Sequence, residues 1–364
     1  MDIKNKKYNR IAIKIGSNVL SNADSTINLD RITHIVKQIS ELYNSGIQII
    51  LISSGAVAAG KSSYNLNKKT SEVVSKQVWS AIGQVKLMST YLNFFAKKDI
   101  QVAQVLTTKE NFVDRRHYLN MKNCISAMLE SDIIPIVNEN DTISVTELMF
   151  TDNDELSGLI SSMMNCQALF ILSNIDGVFS GHPDDKDSKL IPLIEADDKA
   201  LYKYISPIKS GFGRGGMLTK CNIAQKIASQ GIDVFIANGN KENIIIDILN
   251  KEDVPYTKFK SSTKKVNSIK KWLSHSETFA KGEVIINEGA VKALTSNKAV
   301  SLLAIGIDKI NGFFEKDDIV KILDTNNNYI GIGKAQYSST DLPEYIGKKK
   351  SKPFIHYDYL VIKN

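Results

Sequence analysis

Cysteine is scarce in this 364-residue chain: Cys124, Cys166 and Cys221 are the only three, with no CxxC pair and no zinc-binding spacing. An odd count at wide separation describes free thiols in a reducing compartment, not a disulfide framework. Histidine is as thin, five residues at 34, 117, 182, 275 and 356 without an HExxH, so nothing supports a histidine-built metal centre. No apolar run approaches the roughly 18 residues that a membrane span needs. The polar start, MDIKNKKYNR, leads into a short apolar strand and not into a signal-peptide core. A soluble, cytoplasmic protein is expected, with no membrane partner. Arginine is the last shortage, five of 46 basic residues. It is the residue best suited to bidentate phosphate and base contacts. The net charge of +7 divides as +4 up to residue 269 and +3 beyond it. A solvated, lysine-rich surface accounts for that better than a nucleic-acid face, so no nucleic-acid partner is expected.

What is present is ordinary globular composition, 43% hydrophobic and 23% charged, in a chain long enough for two domains. Apolar runs at 11–15, 47–52, 102–106, 133–137, 169–172 and 232–237 predict buried strands. Helical periodicity predicts helices through Ile32–Tyr43 and over 72–97, 115–130, 155–164 and 217–229, with Gly46 as a C-terminal cap. Wholly apolar strands separated by helices predict an α/β three-layer sandwich around a mainly parallel sheet, with ligands at the carboxyl ends of the strands. Residues 1–260 form this unit. A Lys/Ser/Thr-rich stretch over 261–277 is expected to be a linker. Residues 278–364 read as a small β-rich domain, with strands at 283–286, 299–303, 319–322, 330–332 and 360–362 and a helix near 289–294.

Four segments carry chemistry. Gly211-Phe-Gly-Arg-Gly-Gly-Met-Leu-Thr-Lys220 opens a helix; backbone N–H groups, the helix N-terminus and the lysine suit a phosphate. It lacks the Walker A spacing, and a flexible loop with a surface lysine is the plain alternative. Lys14 stands inside an apolar strand just before Gly16-Ser17, a costly place unless its ammonium emerges at a site. Asn138-Glu139-Asn140-Asp141 and Asp152-Asn153-Asp154 put two acidic clusters at the ligand edge. They could hold a substrate ammonium, a magnesium–nucleotide or a catalytic lysine, and Asp152 is also placed as a plain helix cap. Ser53–Gly60 would floor a small polar ligand or simply allow tight packing.

In this order the segments IKIGSNVL (13–20), SSGAVAAG (53–60), NENDT (138–142), TDNDELSGLIS (151–161), SNIDGVFSG (173–181) and GRGGMLTK (213–220) resemble the amino-acid kinase family. Within it they are most similar to the branch that phosphorylates the side chain of glutamate, and 280–345 resembles its C-terminal PUA domain. The resemblance implies a cytoplasmic transferase of proline biosynthesis that moves the γ-phosphate of ATP, with Mg²⁺, onto L-glutamate. It assigns Lys14 and Lys220 to the transferring phosphate and Asp154 to orienting them. Ser54, Asp141 and Asn153 fall on the glutamate site. Lys14, Ser173, Asn174, Arg214, Gly215, Gly216, Met217, Leu218, Thr219 and Lys220 fall on the ATP site, with no protein metal ligand. Ser173-Asn174 and Arg214 depart from the usual bacterial residues. The resemblance further implies a glutamyl-phosphate reductase as functional partner, proline as feedback inhibitor, and a homo-oligomer, dimer or tetramer. Sibling kinases of aspartate or N-acetylglutamate, or a PUA-type RNA-binding protein, are the rival readings.

Overall fold

The computed structural model describes residues 7–66, 71–144, 150, 152–182, 185, 187–198, 216–263, 268–274, 280–296, 299–348 and 352–363. The chain divides into two compact units, Met1–Lys265 and Val266–Asn364.

In the first unit the described strands are β1 (Arg10–Ile15), β2 (Gln48–Ile52), β3 (Val102–Thr107), β4 (Ile134–Glu139), β5 (Ala168–Ser173), β6 (Leu193–Glu195), β7 (Asp233–Asn238) and β8 (Tyr256–Lys260). They form one sheet in the order β3-β4-β2-β1-β5-β7-β8-β6, parallel except where β8 runs against β7. The chain turns outward in both directions from β1, whose neighbours are β2 and β5. That reversal opens a crevice at the carboxyl ends of these strands.

The helices are α1 (Ser17–Leu20), α2 (Leu29–Asn44), α3 (Ala56–Ser63), α4 (Glu72–Ala96), α5 (Glu110–Val113), α6 (Arg115–Glu130), α7 (Asn153–Met163), α8 (Met217–Ser229) and α9 (Ile244–Asn250). Helix α2 shows why such segments form. The Asn28 side chain caps its start by accepting from the Arg31 N–H, and Ile32, Ile35, Val36, Ile39 and Leu42 make one buried stripe. Gly46, at φ 78°, ends it in the left-handed region. Helices α2, α4 and α9 share one core with Ile11, Ile13, Ile49, Leu51, Ile134, Ile136 and Phe170. Helices α6, α7 and α8 lie against β4, β1 and β7. The result is the expected α/β sandwich.

Several elements of this unit were not foreseen. Within Ser53–Gly60 the chain becomes helical from Ala56 onward, its alanines offering good helix formers. Strands β6 and β8 escaped the apolar-run criterion, since β6 reads exposed–buried–exposed and β8 alternates. Helix α9 was passed over between them.

In the second unit α10 (Ser268–Ser274) lies inside the stretch expected to be a linker, with Trp272 and Leu273 buried. It precedes β9 (Gly282–Ile286), α11 (Glu288–Leu294), β10 (Ile307–Gly312), β11 (Ile319–Leu323), β12 (Tyr329–Lys334) and β13 (Leu360–Ile362). The strands make a five-stranded sheet, β10-β9-β11-β12-β13, over a core that includes Val284, Phe314, Ile322 and Phe354. Residues 299–303 are not a strand: only Leu302 bridges, to Ile355, before a 3₁₀ turn begins at Ala304. The strand that stands there instead, β10, carries exposed Asp308 and Lys309 and pairs through its backbone.

Candidate active site

Alternation along β1 decides which helices meet Lys14. Ile11, Ile13 and Ile15 enter the core under α2 and α4, so Lys14 points to the opposite face, where α7 packs. It is 5% exposed, and an ammonium buried that far requires a partner. The partner is Asp154, in the first turn of α7, with Nζ 2.5 Å from Oδ1. The other oxygen of the same carboxylate, Oδ2, stands 2.8 Å from Nζ of Lys220. Lys220 reaches it from the first turn of α8, where its N–H closes onto the carbonyl of the N-cap Gly216.

Asp154 has no exposed surface. Burial alone would raise its pKa, but the charges of Lys14 and Lys220 outweigh that and hold the carboxyl below its usual range. Burial likewise works against the charged form of Lys220, and Asp154 more than offsets it, raising the Lys220 pKa. Two cations thus share one carboxylate at the first turn of α8, and the Asp152 carboxyl lies near enough to feel both.

Asp152 caps α7, its Oδ1 accepting from the N–H groups of Asp154 (2.9 Å) and Glu155 (3.2 Å). Its Oδ2 is buried and accepts no hydrogen bond among the described residues. Burial, then the neighbouring Asp154 charge, lift its pKa to about 6 against the pull of both lysines. The cap expected for Asp152 is therefore real, and one of its oxygens is left over.

Beside this clamp lies a polar chain. The Asn153 Nδ2 donates to the Ser53 carbonyl (2.7 Å), Ser54 Oγ (2.9 Å) and Asn138 Oδ1 (3.0 Å). Asn138 in turn donates through Nδ2 to Gln84 Oε1 at 2.8 Å. Asp141 accepts at Oδ2 from Ser80 Oγ, 3.0 Å away. Ser54 precedes Gly55, whose φ of 97° turns the chain from β2 into α3.

The candidates named from the sequence thus fall into groups. Lys14, Asp154 and Lys220 meet directly. Ser54 and Asn153 are bonded to each other, whereas Asp141 is tied to α4. Ser173 is buried at the carboxyl end of β5, its Oγ 3.3 Å from the Ile175 carbonyl, and Asn174 is exposed. Met217, Leu218 and Thr219 form the first turn of α8 with Lys220. A side chain at Gly216 would meet nothing within 4 Å among the described residues. Arg214 and Gly215, with the loop from Gly211, lie outside the described residues. Ser80 and Gln84 were not singled out, and Asn138 was named only as part of its segment, without a role. The available signal was a polar row, Gln77, Ser80 and Gln84, at helical spacing on one face of the mostly apolar α4.

The sequence pattern of the amino acid kinase family matches residues 9–238, and that of the PUA domain matches residues 282–357. The chain is 56% identical to the glutamate 5-kinase of Bacteroides thetaiotaomicron over 98% of its own length and 99% of the relative's. It is 45% identical to the glutamate 5-kinase of Chlorobaculum tepidum over 98% of each. Among solved structures, the UMP kinase of Ureaplasma parvum superposes with a TM-score of 0.50, covering 70% of this chain and all of that one. At 15% identity that likeness speaks to the fold alone. Fold, family pattern and near full-length identity agree: the chain belongs to the amino acid kinase family, among the glutamate 5-kinases.

Proposed function

We propose that Lys14 and Lys220, seated on the two oxygens of Asp154, clamp the phosphoryl group that this kinase moves from ATP to the side-chain carboxylate of L-glutamate. The observation that carries the reading is a fully buried aspartate shared by two lysines from different elements at the carboxyl edge of the sheet. A glutamate side chain has an ordinary pKa of about 4.3, so at pH 7 the nucleophile is already ionised and needs no general base. One carboxylate oxygen attacks the γ-phosphorus, the bond to the β–γ bridging oxygen breaks, and ADP departs with that electron pair. Negative charge spreads over the transferring oxygens, and two pre-set ammonium groups stabilise it there. Asp154 spares the lysines a search for geometry when the substrate arrives.

Asp141 and Asn153, with Ser54, are the partners for the amino-acid end of glutamate: a carboxylate and an amide oxygen suit its ammonium. Ser173, Asn174, and the segment from Arg214 to Lys220 are the nucleotide side. Magnesium fits as an ion that arrives on the nucleotide phosphates. No cluster of three His, Cys, Asp or Glu among the described residues could hold a metal alone, while Asp152 keeps one buried oxygen without a partner. Asp152 would hold the ion, which would offset further charge on the phosphates.

The direct test is ATP turnover with L-glutamate in the presence of hydroxylamine, which traps the acyl phosphate as a hydroxamate. Formation on glutamate and not on N-acetylglutamate is the expected result; preference for the acetylated acid would overturn the assignment of Asp141. The product is labile, so a cytoplasmic reductase acting on glutamyl phosphate is the natural consumer. Proline, the end product of such a route, is the expected inhibitor at the glutamate site, seen as a raised glutamate KM. Sedimentation would check the proposed homo-oligomer.

A further inference from the structure

Helix α4 meets the end of β4 and the loop after it through a polar row. Gln77 Nε2 donates to the Thr142 carbonyl at 3.0 Å, Ser80 Oγ to Asp141 Oδ2 at 3.0 Å, and Gln84 Oε1 accepts from Asn138 Nδ2 at 2.8 Å. Positions 77, 80 and 84 lie on one face, and they read the loop in reverse order, Thr142, Asp141, Asn138. Ser80 is 3% exposed and Gln84 8%. Buried polar side chains in a helix that otherwise presents apolar residues to its neighbours cost stability unless bonded.

The height of this row is fixed. A Cβ at Gly83 would lie 1.7 Å from the Ala56 carbonyl oxygen, and one at Gly60 would lie 1.8 Å from that of Trp79. Helices α3 and α4 therefore touch backbone to backbone, and α3 begins just after Ser54. One wall of the glutamate pocket is bolted to α4 by packing; the other wall, Asn138–Asp141, is bolted to it by hydrogen bonds.

We propose that Ser80 and Gln84 are positioning residues for the amino-acid substrate: Ser80 aims the Asp141 carboxylate, and Gln84, through Asn138, sets the amide of Asn153. With its nitrogen committed to Ser53, Ser54 and Asn138, Asn153 turns its oxygen away from them, as an acceptor for the substrate ammonium. This rests on the reading of Asp141 and Asn153 as partners of that ammonium.

The test is steady-state kinetics of the full chain carrying Ser80→Ala, Gln84→Met, Asp141→Asn, and Ser80→Ala combined with Asp141→Asn. Each of the first two is expected to raise the glutamate KM by about fivefold to tenfold, the loss of one hydrogen bond to a charged or buried partner. The ATP KM and kcat stay within about twofold on the same argument, because the lysine clamp is untouched. Ser80→Ala adds little once Asp141 is already Asn, because it acts through that carboxylate. If Asp141→Asn leaves the glutamate KM unchanged, the reading of Asp141 itself fails. If Asp141→Asn raises it while Ser80→Ala and Gln84→Met do not, or while the effects of Ser80 and Asp141 add in full, the positioning role alone is overturned. Should Gln84→Met not fold, Ser80→Ala, which removes a single oxygen, carries the test.

Discussion

Two aspartates at opposite ends of the same sheet each gather lysines, and they do different things. Asp233 begins β7, at the amino edge; its Oδ2 takes Tyr8 Oη (2.5 Å), Lys7 Nζ (2.8 Å) and Lys258 Nζ (3.0 Å). Its Oδ1 accepts from the Ser261 N–H at 2.9 Å. Burial would raise its pKa, but these donors hold it well below the usual range. Asp154 is also buried and also depressed, yet it sits at the carboxyl edge, beside the polar chain of Asn153, Ser54 and Asn138. Asp233 stitches the segment before β1 to β7, β8 and the residue that follows β8. In the proposed function, Asp154 holds positive charge ready for a ligand. A perturbed carboxylate with lysine partners does not by itself mark a site; the edge of the sheet at which it lies is the better guide.

The comparison breaks most visibly in kinetics. Lys14→Ala and Lys220→Ala are each expected to lower kcat roughly 10²- to 10³-fold, as loss of a preorganised charge does. Circular dichroism should remain that of the folded protein, and near-normal turnover in either variant would remove the clamp. Asp233→Ala reverses the pattern, with kcat within about twofold and stability to denaturant lower by about 2 kcal/mol, since buried Tyr8 and half-buried Lys258 lose their acceptor while Lys7 stays in solvent. A large fall in kcat with unchanged stability would place Asp233 in the machinery after all. The smallest effect separates the two neighbours in α7. The pKa of Asp152 is raised to about 6 in the folded chain, so the native state binds more protons than the unfolded one between about pH 4 and 6. Stability from this group is present at the acid end of that window and is lost as pH rises through it. Without metal, Asp152→Asn should match the parent in Tm near pH 4 and exceed it above pH 6. An unchanged difference across that range would mean the Asp152 oxygen is solvated.

Much of this was legible because the decisive residues break local rules. A lysine in an apolar strand is expensive unless it finds a partner, and Lys14 finds Asp154; the carboxylates that open α7 suit a helix start, and only their place after a strand set them apart. The strands of the parallel sheet were readable because burial on both faces removes polar residues from them. What stayed hidden depends on distant partners. Ser80 and Gln84 look like ordinary helix residues until Asp141 and Asn138, 61 and 54 positions away, come to meet them. Strand β10 was missed because its exposed polar residues carry no apolar run. Residues 299–303 carried such a run and found one bridging partner only.

The alternation of β1 has a last consequence. Ile13 and Ile15 face one layer of helices and Lys14 the other, so inserting or deleting one residue upstream within the strand would exchange their directions. The ammonium would then be thrust among Leu87, Tyr91 and Phe95, and an isoleucine would face Asp154. Conservative exchange of the flanking isoleucines is expected to leave the Lys14–Asp154 pair standing, and a single-codon change in length is expected to break it. The parity of position 14 thus matters to the proposed clamp as much as its chemistry does.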